Sequence, residues 1–62
     1  MYTLTINNKA YILIKDDELV ITSDYSKASY FNIIGDAMKA AVEVNKQLGT
    51  NLVKVIPVSN YP

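Results

Sequence analysis

Tyr2-Thr3-Leu4-Thr5-Ile6-Asn7-Asn8-Lys9-Ala10-Tyr11-Ile12-Leu13-Ile14-Lys15-Asp16-Asp17-Glu18-Leu19-Val20-Ile21-Thr22 is the stretch that decides the fold. It holds three runs rich in β-branched and aromatic residues, separated by two polar dipeptides. Asn7-Asn8 tolerates positive φ at both central positions of a two-residue turn. That turn sets Ile6 opposite Lys9, Leu4 opposite Tyr11 and Tyr2 opposite Leu13. A second turn at Asp16-Asp17 sets Ile14 opposite Leu19, Leu13 opposite Val20 and Ile12 opposite Ile21. Cross-strand partners share a face and successive residues alternate. One face is then expected to carry Tyr2, Leu4, Ile6, Tyr11, Leu13 and Val20. The other carries Ile12, Ile14, Leu19 and Ile21, diluted by Thr3, Thr5 and Ala10.

Downstream, Ser23 to Lys27 is polar and turn-like, and Ala28 to Phe31 fits either a short fourth strand or an extended approach to a helix. Asp36 to Leu48 is rich in good helix formers. Asn32 offers an N-cap side chain, or the helix starts at Gly35; Gly49 stands where a left-handed C-terminal cap belongs. On a helical wheel Ile34, Ala37, Met38, Ala41, Val44 and Leu48 share one side, which Ala40 and Val42 widen. Asp36, Lys39, Glu43, Lys46 and Gln47 share the other. Leu52 to Val58 reads as a last strand, placed at an edge or ended by Pro57, which has no N–H for a ladder. Ser59 to Pro62 reads as a loose tail. The expected class is α+β in the order β-β-β-α-β: a three-strand antiparallel β-meander, one α-helix packed on one sheet face and a final edge strand, in one domain over residues 1–62.

Composition narrows the function. The chain has 62 residues, six lysines against six acids and a formal net charge of +0. Histidine and cysteine are both absent, which removes the commonest general base, the commonest metal ligands and any disulfide. No glycine pair opens the helix as a phosphate loop would require. Asp16-Asp17-Glu18 reads as a solvated hairpin tip rather than a cation site. No catalytic, cofactor or metal residue is expected. Every cation is Lys, so the guanidinium groups that supply most base contacts are missing, and a nucleic-acid accessory role is the alternative reading rather than the first. No apolar run is long enough to span a bilayer, and no export signal is read at the N-terminus, so a cytoplasmic location is expected.

Domains this short bury only about 60% of their unfolded surface. One helix covers one sheet face, so the second apolar face is expected to meet another copy or a partner. That assigns partner binding to Tyr2, Leu4, Tyr11, Leu13 and Val20, with a homodimer as the favoured assembly. Tyr25 and Tyr30 are expected to pack over the helix start, and Asn45, inside the apolar arc, to bond backbone or water near the helix end.

Tyr11-Ile12-Leu13-Ile14-Lys15, the acidic turn, Val20-Ile21-Thr22, Tyr25-Ser26, Lys27-Ala28 with the pair Tyr30-Phe31, the Ala-rich helix and Val53-Lys54-Val55-Ile56 together resemble small uncharacterised proteins of phages and prophages of Gram-positive bacteria. The resemblance covers residues 10 to 58 and departs at the N-terminal strand. It implies an infected bacterial cytoplasm and a role in binding and modulating a host protein. It assigns no site residue.

Overall fold

The computed structural model describes residues 1–58; the expected loose tail, with Tyr61, lies outside the described residues. Five strands and one helix follow in the order β1 (Tyr2–Ile6), β2 (Ala10–Lys15), β3 (Glu18–Thr22), β4 (Tyr30–Phe31), α1 (Ile34–Leu48) and β5 (Val53–Pro57). The fold is α+β, one antiparallel sheet with a helix on it, and β5 is an edge strand.

β1 is the centre of the sheet. β5 pairs with all of it, from Tyr2↔Pro57 to Ile6↔Val53, and so occupies one whole edge. The other edge is shared. β2 meets it only at Thr5↔Tyr11 and Ile6↔Ala10, and β4 meets it at Tyr2↔Phe31 and Thr3↔Tyr30. Ser29 stitches the opening between them. Its N–H donates to the Ile12 carbonyl (3.0 Å), its Oγ accepts from the Ile14 N–H (2.8 Å), and its carbonyl accepts from Thr3 Oγ1 (2.6 Å). Ala28 to Phe31 therefore contains a strand, of two residues.

Both dipeptide turns form with positive φ, 54° and 55° at Asn7 and Asn8 and 51° and 61° at Asp16 and Asp17. The second hairpin keeps the expected register, Ile14↔Leu19, Leu13↔Val20 and Ile12↔Ile21. The first does not. Lys9 N–H closes the turn on the Ile6 carbonyl (3.1 Å), yet the ladder resumes at Ile6↔Ala10, one residue late. The slip of one reverses the faces of β2 and β3 relative to β1. Leu4 and Ile12 now share a face, while Tyr11, Leu13 and Val20 turn to the opposite one. The physical reason is burial. The expected register would set Thr3, Thr5 and Ala10 beside Ile12, whereas the observed one collects Leu4, Ile12 and Val53 into a single core with Ala37, Ala41 and Val44. Tyr2, Ile6, Leu19, Phe31, Ala40 and Val55 pack around that core.

Thr3 and Thr5 are buried on the other face, and each hydroxyl is used: Thr3 Oγ1 on Ser29 and Thr5 Oγ1 on the Ala10 carbonyl (2.8 Å). Asp24 caps the 3-10 turn Tyr25–Lys27. Hydrogen bonds from Ser26 Oγ (2.6 Å) and Ser26 N–H (3.0 Å), with Lys27 nearby, hold its carboxyl below the usual range.

α1 starts two residues before the expected body, capped by Ile33 with no side-chain bond; Asn32 is not its cap and Gly35 lies inside it. The Ile33 carbonyl takes the N–H groups of both Asp36 (3.1 Å) and Ala37 (3.2 Å), and Asp36 sits in the first turn, where the helix dipole favours a carboxylate. Gly49 closes the helix at φ 66° as expected. At 15 residues α1 is about 22 Å long, and no helix among the described residues is long and apolar enough to cross a membrane.

Candidate functional site

α1 rests chiefly on β5, β1 and β4, and the β2–β3 hairpin borders a cleft beside its Ala40, Glu43, Val44 and Gln47. Small side chains permit that close approach: Ala37, Ala41 and Val44 are the buried residues of the helix. The expected inner layer is thus corrected by half. Ile34, Met38 and Leu48 are exposed, as is Val42. An apolar arc this wide exceeds what one sheet contact can cover, and the helix spends its contact on the small residues.

Ile34 (50% exposed), Met38 (56%) and Val42 (67%) stand at spacing i, i+4, i+8 and form one stripe along α1. Opposite them lie Val55 and Pro57 of the edge strand. Together with Tyr2 they line a groove of about 570 Å³. Lys54 borders this groove from the strand, its register with Thr5 turning its side chain to the opposite sheet face, and Lys46 lines the surface at the helix end.

The edge of β5 beside the groove is chemically altered. Asn7 N–H donates to the Leu52 carbonyl and Val58 N–H to the Met1 carbonyl, so even-numbered residues of this segment turn their backbone groups to β1. Val53, Val55 and Pro57 turn theirs outward. Asn45 takes both groups of Val53: its Oδ1 accepts the N–H (2.9 Å) and its Nδ2 donates to the carbonyl (3.1 Å). Asn45 therefore bonds backbone, as its place near the helix end suggests.

The five residues assigned to partner binding do not form one surface. Tyr2 lines the groove. Leu4 is 0% exposed, inside the core. Tyr11, Leu13 and Val20 lie across the sheet, where Tyr11 meets Tyr25 edge to face (centroids 5.3 Å) and Tyr25 meets Tyr30 (5.9 Å). Tyr25 and Tyr30 thus pack with Tyr11 and not over the helix start; Tyr30 pairs with Thr3, on the face away from α1. That face is mixed. Register places Lys15, Glu18, Thr22 and Lys54 on it beside Leu13 and Val20. The purely apolar second sheet face expected from the first hairpin is not there, and the most exposed large apolar side chains are Val42 and Met38 of α1 and Ile33 just before it.

Among the described residues no group of three His, Cys, Asp or Glu gathers where a metal could sit. The groove was missed because its position depends on how far the helix shifts toward β5. Its sequence signals were Val42, which broadens the helix arc beyond a single seam, and Pro57 in the adjacent strand. Comparison with family models, with curated proteins and with solved structures finds no match.

Proposed function

We propose that the protein is a non-enzymatic interaction module that docks another protein in the groove between α1 and β5. With the resemblance to phage proteins as a guide, the proposed partner is a protein of a bacterial host, bound and modulated in its cytoplasm. The observation that carries the reading is the stripe Ile34, Met38 and Val42, three large apolar side chains left at least half exposed beside an apolar strand. Fully burying one such side chain yields about 1.5–3 kcal/mol, and a contiguous exposed patch is the usual mark of an interaction site. Histidine and cysteine are absent from the sequence, which leaves binding better supported than catalysis.

A photo-crosslinking residue placed at Met38, and separately at the exposed Ser26 as a control, tests this in bacterial lysate. The expected result is a discrete protein adduct from position 38, abolished by Val42→Glu and absent from position 26. Equal adducts from both positions, or adducts indifferent to Val42→Glu, would overturn it.

A further inference from the structure

The two walls of the groove restrict what can occupy it. We infer that its occupant is an amphipathic helix of another protein with acidic residues flanking its apolar face, an inference that rests on the docking function proposed above.

The strand wall rejects an extended peptide. Strand addition draws its affinity from a ladder of main-chain bonds along an open edge. On β5 that ladder is nearly gone. Asn45 already holds both outward groups of Val53, and Pro57 has no N–H to offer. Only Val55 keeps a complete outward rung. An added strand would bury the rest of its backbone groups without partners, at a cost comparable to a lost hydrogen bond each. A helix brings its backbone bonds already made and needs only side-chain contact, which Ile34, Met38, Val42 and Val55 supply.

The charges at the rim select the flanks. On the helical wheel Lys46 and Lys39 follow directly on the open side of the stripe. Among the described residues the one ion pair is Lys27–Asp24, so these two lysines are in no ion pair in the structure. Glu43 and Asp36 lie farther round the wheel, and Asp16-Asp17-Glu18 sit at the tip of the β2–β3 hairpin, where Asp17 and Glu18 share a cleft with Glu43 and Gln47 on the other side of α1. A second copy bound by the same groove about a two-fold axis would bring this lysine rim against itself. Carboxylates on a different protein complement it, and rim charges of this kind govern specificity and association rate.

The test titrates the intact protein with two synthetic helical peptides that share the same leucine anchors, one flanked by Glu and one by Lys, followed by amide chemical shifts and by anisotropy of the labelled peptide. The Glu peptide is expected to bind about fivefold tighter, or about 1 kcal/mol, as two exposed charge pairs would give. Shifts should centre on Met38 and Val42, the preference should shrink with added salt, and Lys39→Glu with Lys46→Glu should reverse it. Equal affinity, or tighter binding of the Lys peptide, overturns the inference. If the Met38 crosslink still captures a protein in that case, docking stands and only the chemistry assigned to the partner falls. A concentration-dependent dimer that buries Met38, or an extended peptide that binds at Val55, overturns it equally.

Discussion

The two apolar sides of α1 invert the usual arrangement. Its inner side is built from Ala37, Ala41 and Val44, and its outer side from Ile34, Met38 and Val42. Folding alone would reward the opposite choice, because larger side chains yield more when buried. Small residues inside let the helix lie close to β1 and β5, where Leu4, Ile12 and Val53 fill the space. Large residues outside do little for the isolated fold. The difference separates two tasks within one helix: the inner side holds the protein together and the outer side is available to a partner.

The largest effect that sharpens this contrast is on the inner side. Leu4→Ala removes a fully buried side chain from beneath α1 and should cost about 2–5 kcal/mol, enough to unfold much of a 62-residue domain, as urea denaturation would show. Asn45→Ala strips both backbone partners from Val53 and should cost about 1–3 kcal/mol. It also reopens the β5 edge, so sedimentation should reveal stronger concentration-dependent association than that of the parent protein. Ala41→Leu forces bulk into the tight inner contact and should cost about 1–3 kcal/mol in the same denaturation assay; a neutral result would break the contrast by showing room to spare. Gly35→Ala is smaller and of opposite sign. Nothing lies within 4 Å of a methyl group there, so about 0.5–1 kcal/mol of stability should be gained, read as a higher Tm.

The two hairpins show how much of this was legible in the sequence. At Asp16-Asp17 the turn chemistry and the register agree with expectation, because only the local pair of strands is involved. At Asn7-Asn8 the turn is as expected and the register is not. There β1 also answers to β4, β5 and the helix, and their packing outweighs a two-residue loop. Every face assignment that depended on that hairpin moved with it, which is why Leu4 lies in the core while Tyr11 and Leu13 lie across the sheet. The helix body and its Gly49 cap were legible from local propensity; its first turn was not, since Ile33 caps it without a side-chain bond. Which part of a wide apolar arc faces inward is set by the depth and lateral position of the helix on the sheet, a tertiary quantity that no spacing along the chain encodes.

The measurement that tests the central claim most directly is equilibrium urea unfolding of Met38→Ser with Val42→Ser beside the parent protein. If the outer side of α1 exists for a partner, the two substitutions together shift the unfolding free energy by less than about 1 kcal/mol and leave the denaturant slope unchanged. A loss of about 2 kcal/mol or more, in the range of a core truncation, would show that these side chains hold the fold itself and would contradict the account.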